Sequence, residues 1–386
     1  MAADPVEARL RAQEIEVPSW AFGLSGTRFK VFGQPGVPRD VWEKLEDAAE
    51  VHRLTGVCPR VAVHIPWDRV DDPSELDERA RALGLRIGAV NPNLFQEEEY
   101  RLGSVCHPDP GVRRHATDHL LECVEIGRVV GSDALSIWLA DGTNYPGQDD
   151  PVARRERMLE CFAEAYAAMP EGMELLLEYK LYEPAFYHTD LQDWGSALLA
   201  CQRLGPRAKV LVDLGHHAQG VNIEHIVAML SAERRLGGFH FNNRKYGDDD
   251  LIVGSVNPWE LFLIYVELAR AEGPGADPVR HGIDQSHNVE PKVEAMVLSV
   301  MNLQESYAKA LLVDRGALGA AQAEGDVLGA YRLLQDAFAS DVRPLCARVR
   351  EGLGGEADPI GALRAGGYAE RMAAERAGGA PVGWTS

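Results

Sequence analysis

Four residues with metal-binding side chains close four successive apolar runs: Glu178 after ELLL, Asp213 after KVLV, His240 in GFHF and Asp284 after RHGI. A single acid after such a run is ordinarily a helix cap or a solvated loop residue. A carboxylate emerging directly from a buried run, however, needs a partner or a cation. If the four runs are neighbouring parallel strands, all four groups reach one rim within ligand distance of a common ion. Three oxygen donors and one imidazole suit Mn(II), Mg(II) or Co(II) better than a thiolate-preferring metal.

Two shorter motifs add a second candidate centre. His216 follows Asp213 by three residues in VDLGHH, and Asp248-Asp249-Asp250 follows His240 in HFNNRKYGDDD. In an extended loop Asp248 and Asp250 share a side while Asp249 points away. Alone, the triplet reads as an acidic turn; beside His216 and the strand-end quartet it reads as ligands for a second ion, held by His216, Asp248 and Asp250. His217 fits a supporting role equally well. Lys180, two residues beyond Glu178, is placed to hold a substrate oxygen or a proton, its alternative being an ordinary surface lysine. Trp138 and the stretch Tyr182–Tyr187 could wall a sugar face, or belong to the core. His64 is open between core histidine and sugar-hydroxyl ligand.

These side chains need a scaffold that delivers one strand end after another to the same rim. Short apolar runs recur at Ala21–Ser25, Val61–His64, Leu85–Val90, Ala134–Leu139, Glu174–Glu178, Lys209–Asp213, Gly238–Phe241 and Arg280–Asp284. Amphipathic helical patterns lie between them, at Asp40–Arg53, Pro110–Val130, Pro151–Ala168, Asp190–Arg203, Ile223–Arg235 and Pro258–Ala271. Eight such units predict an α/β fold, a (β/α)8 TIM barrel. The rival, a doubly wound sheet, lacks a GxGxxG or P-loop after an early strand. The expected layout is an N-terminal segment over 1–20, the barrel with its site over 21–290, and a C-terminal helical extension over 291–386 that makes oligomer contacts. Its predicted helices are Pro291–Val313, Asp326–Asp341, Arg343–Gly352 and a shorter one from Ile360 to Arg376, before a loose tail.

Composition narrows the function. The net charge of -20 argues against a nucleic-acid or anionic-membrane surface, both of which need clustered Lys and Arg. Six isolated cysteines without a CxxC pair do not form a disulfide framework. No run approaches the ~20 apolar residues of a membrane span, and the charged N-terminus lacks a signal core. A cytoplasmic location is expected.

GTRF (26–29), HIPWD (64–68), SIWLADGTNYPGQ (136–148), EYKLYEPAFY (178–187), VDLGHH, HFNNRKYGDDDL and DQSHN (284–288) together resemble bacterial L-rhamnose isomerases of the broad-specificity kind, within the xylose-isomerase-like barrels. The resemblance runs from about residue 20 to 310; Asn243-Arg244 departs from the familiar pair and leaves the pocket rim open. It implies a structural metal on Glu178, Asp213, His240 and Asp284, and a catalytic metal on His216, Asp248 and Asp250. It also implies a monosaccharide pocket with His64, Trp138 and Lys180, and a homotetramer in which an aromatic of one subunit, Phe29 or Phe32, reaches a neighbour's pocket. Two divalent ions are expected, Mn(II) first, with Co(II), Mg(II) or Zn(II) as alternatives. The expected reaction is L-rhamnose to L-rhamnulose, with L-mannose or D-allose also turned over, by a metal-assisted hydride shift between carbons 1 and 2. Lys180, His216 and Asp284 are the candidate catalytic residues. The nearest alternative is a ketose 3-epimerase, which uses one metal and two Glu bases. A metal-dependent endonuclease needs a basic groove, and a non-catalytic sugar-binding protein needs no two-metal rim.

Overall fold

Side chains alternate along the strands of the chain, and the alternation sorts them by chemistry. A computed structural model describes residues 5–25, 31–272 and 275–377. Eight parallel strands close into a barrel: Ile15–Pro18, Arg60–Ile65, Arg86–Pro92, Ala134–Trp138, Glu174–Glu178, Ala208–Asp213, Leu236–Phe241 and Arg280–Ile283. Outward positions such as Val61, Val63, Leu135, Ile137, Leu175, Leu177, Val210 and Val212 join the large core beneath the helices. The opposite face fills the lumen with small and medium groups, Ala62, Ala89, Ala134, Leu176 and Leu211, topped by Trp20. This is period-2 patterning on a sheet buried on both faces.

On the lumen face of the fifth, sixth and eighth strands the order from floor to rim repeats. Glu174, Leu176 and Glu178 stand in one strand, Lys209, Leu211 and Asp213 in the next, and Arg280, Gly282 and Asp284 in the last. The floor is an ionic layer: Arg60 pairs with Glu16 at 3.2 Å and with Asp133, Arg280 pairs with Glu174, and Lys209 meets Asp277 at 2.7 Å. Gly88 is part of this layer because a Cβ there would stand 1.7 Å from Glu16 Oε2.

Helices Pro110–Val130, Pro151–Ala168, Pro258–Ala271 and Arg343–Gly352 fall where the sequence places them. Each of the first three carries Pro in its first turn after an Asp or Asn cap. The first strand does not. Ala21–Ser25 is not a strand; the true one is Ile15–Pro18, and Ser19–Phe22 curls into a 3-10 turn. The barrel therefore begins inside the segment assigned to 1–20. The boundary at 290 also shifts, because Lys292–Leu311 packs against Pro258–Ala271 and Val41–Thr55 as the eighth barrel helix. The extension proper starts with Arg315–Glu324 and continues through Val327–Ala339 and Arg343–Gly352 to Pro359–Ala365 and Tyr368–Glu375. The last two replace the single short helix expected there, and the tail from 378 lies outside the described residues. Among the described residues no helix is long and apolar enough to cross a membrane.

Candidate metal and sugar site

The strand-end quartet converges as the spacing predicts. One ligand atom from each of Glu178, Asp213, His240 and Asp284 lies within 4.8 Å of the others. Register explains it: Asp213 pairs directly with His240 across the sixth and seventh strands. The backbone N–H of Asp284 donates to the Phe241 carbonyl at 3.0 Å, which carries the eighth strand to the same height. Asp213 is fully buried and accepts from the Asn242 amide at 3.0 and 3.1 Å and from Gly215 N–H at 2.6 Å.

A second group overlaps the first. Asp213, His216 and Asp248 form it, again with facing atoms within 4.8 Å. His216 Nδ1 donates to the Tyr179 carbonyl at 3.0 Å, which turns Nε2 toward Asp248 at 3.4 Å and Asp213 at 4.0 Å. Of the expected trio, His216 and Asp248 stand in this group, and Asp250 borders the same pocket with a carboxylate oxygen 3.4 Å from the Asn242 amide. Asp249 does point away, and its carboxylate gathers the N–H groups of Lys245, Tyr246 and Gly247. His217 is a supporting residue. Its Nε2 accepts from the Tyr179 hydroxyl at 2.6 Å, and burial pushes it down to about 3.

Electrostatics set the character of this rim. Burial raises Asp213, and Asp248 and Glu178 add to it, to about 7 against the pull of His216. Burial and the neighbouring Asp248, Asp284 and Asp213 hold Asp250 well above the usual carboxylate range. Burial alone would depress the two imidazoles, but Asp213 and Asp248 lift His216 to about 9, and Glu178 with Asp284 lifts His240 to about 10. Among the described residues, buried Asp248 Oδ1 makes no hydrogen bond, and His240 Nδ1 faces only the Glu178 and Asp284 carboxylates, at 3.2 and 3.9 Å. A crowd of acids with unsatisfied donor atoms aimed inward fits divalent cations, which relieve the repulsion and take up those atoms.

The cavity bordered by this rim has a volume of about 210 Å³, and aromatic side chains form much of its other wall. His64 stacks on Trp67 with ring centroids 3.9 Å apart, and Phe95 stands edge-on to Trp138 at 4.8 Å. Lys180 Nζ lies 2.7 Å from Asp248, 3.7 Å from Glu183 and over the Trp138 face at 5.2 Å. Although burial works against it, Asp248 raises the Lys180 ammonium above its ordinary value. His64, Trp138 and Lys180 therefore all line this cavity. Phe29 lies outside the described residues, and Phe32 is half exposed.

Sequence reasoning missed Trp20, Trp67, Phe95 and Asn242. Trp20 donates its indole N–H to Asp284 Oδ1 at 2.7 Å. Its signal was the SW step that follows the true first strand. Asp68 and Asp141, in motifs singled out above, are structural. Asp68 accepts from Lys44 at 2.6 Å and from the His64 N–H at 2.8 Å, fixing the turn that carries His64 and Trp67. Asp141 accepts the N–H groups of Ser104 and Cys106.

The profile of the "Xylose isomerase-like TIM barrel" family matches residues 47–270. The chain is 48% identical to "Probable sugar isomerase" of Rhizobium meliloti (strain 1021), over 97% of this chain and 88% of that protein. It is 47% identical to "Probable sugar isomerase" of Mesorhizobium japonicum, over 97% and 89%. A "Xylose isomerase" of Thermus thermophilus is 27% identical over 60% of this chain and 65% of its own. In architecture the chain is similar to a solved structure described as that of L-ribulose 3-epimerase, at 16% identity and a TM-score of 0.55, covering 78% of this chain and 98% of that one.

Proposed function

Because the chain belongs to the xylose isomerase-like TIM barrel family, we propose that it is a metal-dependent aldose–ketose isomerase converting L-rhamnose to L-rhamnulose, with activity on L-mannose or D-allose. The observation that carries this reading is the pair of overlapping ligand groups, Glu178–Asp213–His240–Asp284 and Asp213–His216–Asp248, on one rim beside an aromatic pocket. These residues would hold two divalent ions, Mn(II) by preference and otherwise Co(II), Mg(II) or Zn(II), which would supply Lewis-acid polarisation of the sugar's oxygens.

The residues divide the remaining work. Lys180 stabilises the oxygen on carbon 1 as hydrogen moves between carbons 1 and 2. Asp284 and His216 fix the rim, while Asp248, with Glu183 and Asp250, sets the charge that Lys180 faces. His64, Trp67, Phe95 and Trp138 exclude water and hold the apolar face of the open-chain sugar. The choice of L-rhamnose rests on the motif resemblance. An apolar pocket distinguishes a methyl from its absence by only ~1–3 kcal/mol, which is why several aldoses belong to the proposal. A homotetramer with an aromatic of one subunit beside another's pocket is part of the same reading.

Ketose 3-epimerisation is the second reading. It calls for two opposed Glu bases, and Glu178 is the only glutamate lining this pocket among the described residues. The experiment is a panel of rare aldoses assayed for ketose formation with added Mn(II). Ketose from L-rhamnose supports the proposal, whereas turnover of ketoses only into their 3-epimers overturns it. Repeating the assay in deuterated water separates routes: near-stoichiometric solvent deuterium in the product excludes the hydride shift.

A further inference from the structure

A closed barrel is held at every seam by ladder hydrogen bonds, but the seam between the first and eighth strands is short. Its paired residues are Ile15 with His281 and Glu16 with Gly282, and the pairing ends there. The adjoining seam between the seventh and eighth strands runs on to Ile283 and Phe241. Asp284 thus reaches the rim with backbone support on one side only.

Side chains replace the ladder on the other side. The Trp20 indole N–H donates to Asp284 Oδ1 at 2.7 Å, while the ring stands edge-on to His64 and His240 at centroid distances of 5.6 and 6.3 Å. Two residues beyond Asp284, the Ser286 hydroxyl donates to the Ala21 carbonyl at 3.4 Å and its N–H donates to the Asp250 carbonyl at 3.2 Å. Lys292, in the first turn of the eighth helix, completes the joint. Its ammonium donates to Ser25 Oγ at 2.6 Å, the His287 carbonyl at 2.7 Å and Ser286 Oγ at 3.2 Å. All three acceptors are uncharged and come from both sides of the seam, so this lysine acts as a three-way tie.

We propose that Trp20 and Lys292 are positioning residues that clasp the first barrel loop to the eighth and fix which oxygen of Asp284 is presented to the ion. With Oδ1 engaged by the indole, Oδ2 is the oxygen that faces His240 Nδ1, at 3.9 Å. Outer hydrogen bonds of this kind restrict a ligand to one orientation before the ion arrives. This inference rests on the metal site proposed above.

The test is Mn(II) affinity by titration calorimetry, alongside the thermal midpoint of chelated protein. Trp20→Phe keeps the aromatic wall and removes the donor. It is expected to weaken Mn(II) about tenfold, the lower end of what loss of an outer partner costs, with the chelated midpoint unchanged. Lys292→Met is expected to shift affinity the same way, and Lys292→Arg to restore it. Because both act on Asp284, the double variant Trp20→Phe/Lys292→Met should lose less than the product of the single losses. Wild-type affinity in Trp20→Phe overturns the proposal, as does a loss of affinity matched by an equal fall in the chelated midpoint. If the wild-type protein itself binds no Mn(II), it is the metal-site reading that fails instead.

Discussion

Asp213 belongs to both ligand groups and Asp248 to one, so the two should fail differently when replaced. Asp248→Ala is expected to lower turnover by more than about 100-fold with little change in the thermal midpoint of Mn(II)-loaded protein. Asp213→Ala should abolish turnover and also lower that midpoint, because it strands the Asn242 amide and Gly215 N–H at a cost of about 1–3 kcal/mol and cuts a link between strands. Scanning fluorimetry beside an activity assay separates the two. His281 offers a test remote from the rim. Burial lowers it from 6.5 to about 4, with Gln13 and Tyr265 each 3.4 Å from Nδ1. Above pH 6.5 both folded and unfolded forms are neutral there and nothing is lost. Below it the unfolded chain takes up a proton that the folded chain refuses, so stability falls between about 6.5 and about 4, by up to about 3 kcal/mol. Urea unfolding at pH 7 and 4.5 should show a smaller fall for His281→Gln. The candidate ligands were legible in the sequence because residue type and strand-end position coincide. Asn242 and Phe95 were not, because their roles are set by what stands across from them.

At the scale of elements, the helices were legible where proline and an acidic or amide cap mark the start, and the strands where apolar residues run together. The first strand shows the limit. Its four residues include Glu16, a charge that apolarity alone rejects, yet Arg60 on the next strand neutralises it at 3.2 Å. A linear reading cannot see that partner, so it moved the strand to the more apolar Ala21–Ser25. The same displacement hid Trp20. The helix Val41–Thr55 gives a prediction of its own, since its Lys44 is buried against Asp68 under the turn holding His64 and Trp67. Lys44→Met leaves the Asp68 charge buried and unpaired. It should cost about 3–5 kcal/mol in urea unfolding and raise KM for the sugar more than it lowers kcat.

For the molecule as a whole, folding and metal occupancy should be linked. An ion at 100 times its Kd contributes about 2.7 kcal/mol to the folded form. Chelation with EDTA should therefore abolish turnover and lower the thermal midpoint by a few degrees, and Mn(II) should restore both. A midpoint indifferent to EDTA would remove the structural ion from the account. The barrel also has a direction. Its lower end is stoppered by Glu16, Arg60, Glu174, Lys209 and Arg280, with Leu176 and Leu211 above them. A molecule in this vessel leaves by the doorway through which it came. Substrate and product must queue for the same entrance, so added ketose should act as a competitive inhibitor of the forward reaction, raising the apparent KM without touching kcat.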